Sequence, residues 1–361
     1  MKKVGLITFH SSHNYGAMLQ AYALQQTVLS FDVDCKIIHY RTAKMVNDYA
    51  VLKKGKHPRI VIKNALKILR LKAFKRKHKR FETFMTEQLV LTKRYHSLAQ
   101  LLSEPPQMDT YITGSDQVWN GSAALKDAYF LPFAEKHAKK ASYAASFGDS
   151  MPQDKYTKRL GLYFKDFDKI SVREDTAKQY IENTFGLNVE QMPDPVFLLR
   201  KNDWEEFVQK NKEKKPYIFC YCLSNEKHIQ SVIDCVKEKT NLKTITISDE
   251  IKPNIQADKV YYDAGPKEFL TLLCNAAFVV TDSFHGTAFS LLFKKQFVSV
   301  ARSKKSKRIE SLLKQFALSE KFVSAPADID WAHIDFKEKA EIFTMLRERG
   351  ICYLRDCIEE E

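Results

Sequence analysis

Short apolar runs alternate with longer amphipathic patterns along almost the whole chain. The stretches 4–9, 35–40, 110–113, 141–146 and 169–172 read as strands, with helical spacing over 17–29 and 175–184. A second series places strands at 217–223, 243–247, 277–281 and 297–301, and helices at 227–239, 266–275, 286–293 and 307–316. Strands separated by helices of this length pair in parallel, and a parallel sheet is covered on both faces. The expected fold class is therefore α/β, with two Rossmann-like domains facing each other across a cleft. The expected boundaries are 1–199 for the first domain, 200–335 for the second, and 336–361 for a helical segment packing back on the first. The 361 residues, 44 % of them hydrophobic, are enough for each domain to bury a core.

Charge is unevenly spread. The formal net charge is +14, and the 28 residues from Lys53 to Arg80 hold 13 Lys or Arg and no Asp or Glu. The same segment places Ile62, Ala65, Leu66, Leu69 and Ala73 at helical spacing, with Lys63, Lys67 and Arg70 on another face. A basic helical insert over 53–93 of the first domain is expected. An anionic membrane surface is one reading of it, and a solvated helix packed on the domain is the plainer one. No fold signature for nucleic acid accompanies the charge, so no nucleic-acid partner is expected. The first apolar run is too short for a signal peptide, and no stretch approaches the ~18 apolar residues of a membrane span. Seven cysteines without a CxxC pair fit buried thiols in a reducing compartment. The expected location is cytoplasmic.

In parallel sheets, ligands gather outside the carboxyl ends of the strands. That rule selects five loops: 10–16, 114–120, 171–174, 282–287 and 302–308. The first holds His10 and His13 before a helix start whose free N–H groups suit an anion or sugar hydroxyls, and a loop that merely caps the helix is the alternative. Two histidines without a carboxylate or cysteine nearby make a poor metal site, and no metal is expected. In the second loop, Asp116 stands among Ser115, Gln117 and Asn120 beside Trp119, a grouping suited to gripping a sugar or to stabilising a turn. Arg173 ends a strand with a planar fork suited to carboxylate or phosphate, unless Glu174 or Asp175 absorbs it in an ion pair. The fourth loop is the most specific: His285 and Gly286 open a helix directly after a strand, with Asp282 before them.

Taken together, segments 4–24, 114–120, 171–174, 193–199 and 282–286 resemble the polysaccharide pyruvyl transferase family, in the family's order and over roughly positions 4 to 320. The resemblance implies a GT-B-like pair of domains. It also implies transfer of the enolpyruvyl carbons of phosphoenolpyruvate onto two hydroxyls of a sugar, giving a cyclic pyruvate ketal. Phosphoenolpyruvate would be a co-substrate, no separate cofactor is implied, and the acceptor would be a sugar on a lipid-linked oligosaccharide. The enzyme would then have a peripheral place at the inner face of the plasma membrane.

Carried over to this chain, the family's strand-end Arg matches Arg173 and its catalytic-loop His matches His285. From the chemistry of the loops, His285 is expected as the acid and Asp116 as a candidate base. Arg173, Ser283, Gly286 and Thr287 are expected on the donor side, and His13, Asn14, Tyr15, Gly16, Ser115, Gln117 and Trp119 on the acceptor side. Several family members carry Arg where this chain has Ser283, so Arg302, Lys304 or Arg308 is expected to supply that cation. A GT-B glycosyltransferase using a nucleotide sugar, and a non-catalytic glycan- or membrane-binding module, are the alternatives.

Overall fold

The computed structural model describes the chain except residues 56, 122–124, 303–306 and 360–361. It divides into two compact units: Met1–Val46 with Phe84–Leu199 and Phe343–Glu361, and Asn47–Thr83 with Arg200–Ile342.

The first unit is built on β1 (Lys3–Ile7), β2 (Asp34–Tyr40), β3 (Leu91–Tyr95), β4 (Thr110–Thr113) and β5 (Lys139–Ser142), in the order β3-β2-β1-β4-β5. Every pairing is parallel, and Val4, Leu6 and Ile7 of the central strand are fully buried. A short pair, β6 (Ser171–Val172) and β7 (Glu190–Gln191), extends this side of the fold through bridges from Ala141 to Lys169 and from Ala145 to Val172. Because β1 lies between β2 and β4, the chain reverses direction across the sheet there, and the loops after β1 and β4 leave the sheet side by side. The Thr8 hydroxyl donates to the Ser115 carbonyl at 3.2 Å, which joins those two loops directly.

The second unit repeats the plan with β8 (Tyr217–Tyr221), β9 (Lys243–Ile247), β10 (Lys259–Tyr261), β11 (Phe278–Thr281), β12 (Gln296–Val300) and β13 (Phe322–Val323). Their order is β10-β9-β8-β11-β12-β13. Here the reversal falls between β8 and β11, so the loops at 222–226 and 282–283 are neighbours.

The alternation of strands and helices in the sequence is thus reproduced, with most ends shifted by one or two residues and the strand expected over 141–146 found at Lys139–Ser142. The edge strands β3, β10 and β13 and the short β7 carry no apolar run long enough to announce them. The C-terminal helix Ala340–Glu359 is held on the first unit. Tyr353 donates to the Ser142 carbonyl at 3.0 Å and Arg347 to that of Leu198 at 2.9 Å, while Gly350 leaves no room for a Cβ against Tyr143 and Leu198.

Two expectations are corrected. The basic segment belongs with the second unit rather than the first. Arg76 pairs with Asp263 at 3.0 Å, Arg80 with Glu268 at 3.1 Å and Lys63 with Glu250 at 2.8 Å, so acids of that unit draw it in. Trp119 is not a sugar platform. Its ring is 1 % exposed, stacks on Phe130 at 5.5 Å and is enclosed by Phe147, Phe164 and Phe167, while its indole N–H donates to the Tyr129 carbonyl at 3.0 Å. We expect Trp119→Ala to cost about 3–5 kcal/mol of stability, as for a large aromatic removed from a packed core; urea unfolding measures it.

Candidate functional site

Each unit carries one cluster of polar residues at the carboxyl ends of its central strands.

In the first unit the loop after β1 ends where Asn14 caps the helix Tyr15–Leu29, its side-chain oxygen accepting the Ala17 N–H at 3.1 Å. Capping, the plainer alternative for this loop, accounts for Asn14; Tyr15 and Gly16 are buried in the first turn. His10 pairs with His39. Its Nδ1 lies 3.1 Å from the Thr8 carbonyl, which can only accept, so Nδ1 carries the proton and Nε2 accepts from His39 Nδ1 at 2.8 Å.

The loop after β4 opens on a cis Gly114–Ser115 peptide and a left-handed Asp116. Ser115 is fully buried and committed to structure. Its N–H donates to Gln20, its hydroxyl to the Ala144 carbonyl, and its own carbonyl accepts from Thr8, so it cannot face an acceptor. Gln117 is half-buried and accepts from the Asn120 amide at 2.6 Å.

Arg173 lies in an ionic cluster that the sequence only hinted at. Its side chain, 3 % exposed, reaches Glu174 at 3.0 Å and Asp194 at 2.5 Å. Burial works against its charge, and the Glu174 and Asp194 carboxylates, with a further contribution from Asp116, outweigh that and hold the guanidinium above its usual range. Glu174 also accepts from Ser146 at 2.6 Å, and Asp194 from the Val196 N–H at 3.1 Å. The ion-pair alternative therefore describes Nε and Nη1 of Arg173. Glu174 on Nε and Asp194 on Nη1 compensate the buried charge. The sequence offered Glu174 as a partner but not Asp194 or Ser146, although Asp194, flanked by Pro193 and Pro195, was the available signal.

In the second unit Asp282 is fully buried. Its two oxygens accept the N–H groups of Leu223 and Ser224 at 2.6 and 2.8 Å, which ties the loop after β8 to the loop after β11. Burial raises its carboxyl above the ordinary value, opposed by the Leu223 N–H and by Arg302, whose Nε lies 3.9 Å away. Ser283 caps the helix Phe284–Leu292, its hydroxyl accepting from the Gly286 N–H at 3.4 Å. That explains the serine locally: a short hydroxyl fits an N-cap.

Gly286 serves packing as well as the turn. A Cβ there would sit 2.2 Å from the Thr281 hydroxyl, so glycine lets the helix lie directly on β11, which corrects the expectation that the space admits a ligand. Thr287 donates to or accepts from Ser299 at 2.7 Å, inside the core. His285, in the first turn of this helix, lies edge-on to Phe284 at 5.2 Å and is 7 % exposed. Arg302 is partly exposed beside Asp282, Arg308 is buried in the first turn of the helix Lys307–Gln315, and Lys304 lies outside the described residues.

The fold alone places the chain among GT-B-type α/β proteins. It superposes on a UDP-GlcNAc 2-epimerase from Neisseria meningitidis, solved bound to UDP-GlcNAc, with a TM-score of 0.51 at 11 % identity, covering 100 % of this chain and 95 % of that one. A UDP-GlcNAc 2-epimerase from Methanocaldococcus jannaschii, solved with UDP-GlcNAc and UDP, gives a TM-score of 0.50 at 14 % identity, with 96 % and 92 % covered. No curated protein matches it in sequence. The family model for polysaccharide pyruvyl transferase matches residues 14–304, and the chain belongs to that family. It is thus a transferase of polysaccharide biosynthesis whose acceptor is a sugar. Among the described residues no helix is long and apolar enough to cross a membrane.

A pH prediction follows from His10. Burial, and after it the neighbouring His39, lower its pKa from 6.5 to about 3. The unfolded chain therefore binds this proton before the native state does, and stability present above pH 6.5 is lost as pH falls from there towards 3. Between pH 7 and 5 the loss is about 2 kcal/mol. Urea titrations of wild type and His10→Gln are expected to differ by this slope.

Proposed function

We propose that this chain forms a pyruvate ketal on a sugar of a surface polysaccharide repeat unit, with phosphoenolpyruvate as donor and the acceptor carried on a lipid-linked oligosaccharide. The observation that carries the reading is the family match over residues 14–304, which includes the loops after β4 and β11. The chemistry needs a proton at the donor methylene carbon, attack at C2 by one sugar hydroxyl, attack by the second, and departure of phosphate. His285 is the acid in this reading, since it opens a helix at the reversal point of its sheet. Asp116 takes the proton from an attacking hydroxyl. Arg302 supplies the cation that other family members place where Ser283 stands here, because it is partly exposed whereas Arg173 is enclosed by carboxylates.

The test is incubation of purified protein with phosphoenolpyruvate and a lipid-linked glycan, followed by phosphate assay and mass spectrometry. Equimolar phosphate release and a pyruvate-sized mass gain are expected. Consumption of a nucleotide sugar with no turnover of phosphoenolpyruvate would instead identify a glycosyltransferase. His285→Ala is expected to lower turnover about 10²–10⁴-fold, as for loss of a general acid, with an unchanged unfolding midpoint. Arg302→Gln should raise the KM for phosphoenolpyruvate and leave the acceptor KM in place; equal donor KM values would remove Arg302 from the donor site.

A further inference from the structure

The helix Pro58–Ile68 is mounted with its polar face towards its own unit. Lys63 pairs with Glu250 at 2.8 Å, and just beyond the helix Arg70 lies over the Tyr262 ring at 4.2 Å. Asn64 is held by the backbone of Lys53 through two hydrogen bonds. The apolar face is left towards solvent. None of the helix residues is buried, and Val61, Ile62, Leu66, Ile68 and Leu69 are 55, 60, 46, 59 and 77 % exposed. A helix packed on a globular domain has the opposite arrangement, apolar side in and charges out. Five large aliphatic side chains gathered on one short element also differ from the single exposed leucines that every surface shows.

Charge says what covers this face. Arg59 on this helix and Lys72, Lys75 and Lys79 on the helix that follows are exposed, in a segment with no acidic residue. A second copy docking through the same patch would be related by a two-fold axis, which would bring these cations against their own counterparts. Nucleic acid would satisfy the cations and leave the aliphatic side chains in water. An anionic bilayer meets both: acyl chains take the apolar side chains, and headgroups take the lysines and arginines.

We infer that the Val61–Leu69 face is an in-plane membrane anchor, seated in the interface of an anionic bilayer. The anchor rests on this surface alone. It fits an acceptor carried on lipid, yet the binding experiment contains neither donor nor acceptor, so its failure would leave the transferase reading standing. It also changes which cations matter, because Lys77 is buried and Arg76 and Arg80 are engaged by Asp263 and Glu268.

The test is flotation of the full chain with vesicles of phosphatidylcholine alone or mixed with phosphatidylglycerol. Wild type is expected to float with the mixed vesicles and not with the neutral ones. The triple variant Ile62→Gln, Leu66→Gln and Leu69→Gln should lower the partition coefficient about ten-fold or more, because three aliphatic side chains no longer enter the interface. Its unfolding midpoint should match wild type, since all three side chains are exposed. Lys72→Gln, Lys75→Gln and Lys79→Gln together should weaken binding to mixed vesicles and reduce its salt dependence. In a Leu66→Trp variant, the fluorescence added over wild type should shift blue with mixed vesicles and be quenched by brominated lipid. The inference is overturned if wild type does not float at low salt, or if the triple glutamine variant floats as well as wild type. It is also overturned if light scattering shows a wild-type dimer that this variant turns into a monomer.

Discussion

A parallel sheet buried on both faces has room for polar chemistry only beyond its strand ends, and both sheets of this protein are governed by that constraint. At each reversal point two loops leave adjacent strands together, and their polar groups need partners within the protein. In the second unit the Asp282 carboxylate supplies them, accepting from Leu223 and Ser224 and so fixing the start of the helix that carries His285. In the first unit Thr8, Gln20 and Ser115 do the same work with neutral groups, and Asp116 emerges from that frame in a left-handed conformation. Positions of the two proposed proton-transfer residues thus follow from how the backbone at the strand ends is satisfied.

The Arg173 cluster shows why residue type alone does not define a role. An arginine at a strand end has the right fork for a phosphate, but a buried guanidinium needs compensation from whatever is nearest. Here the compensation comes from Glu174 and Asp194, one adjacent in sequence and one brought from the far side of a helix and a short strand. Asp194 in turn fixes the turn at Val196, so the cluster also sets the path of the chain as it leaves the first unit. In the second unit the exchange of arginine for Ser283 has a local reason: the serine hydroxyl caps the helix, and the nearby cation, Arg302, comes from the end of a different strand.

The chain alone determined the α/β class, the strand and helix alternation, and the loops at which polar residues collect. These depend on periodicity and on the strand-end rule, and both are local or nearly so. The family resemblance was legible for the same reason, since its motifs lie in those loops. Tertiary structure decided the rest, wherever a residue's partner lies far along the chain. Trp119 read as an open ring because Phe130, Phe147, Phe164 and Phe167 are separate segments until the fold packs them round it. His10 stood beside His13 in sequence and bonds to His39 in space. Amphipathic spacing over 58–69 was plain in the sequence, but periodicity has no sign: it marks two faces without saying which one meets the protein. Lys63 and Arg70 meet Glu250 and Tyr262, nearly two hundred residues away, and the aliphatic face is left out.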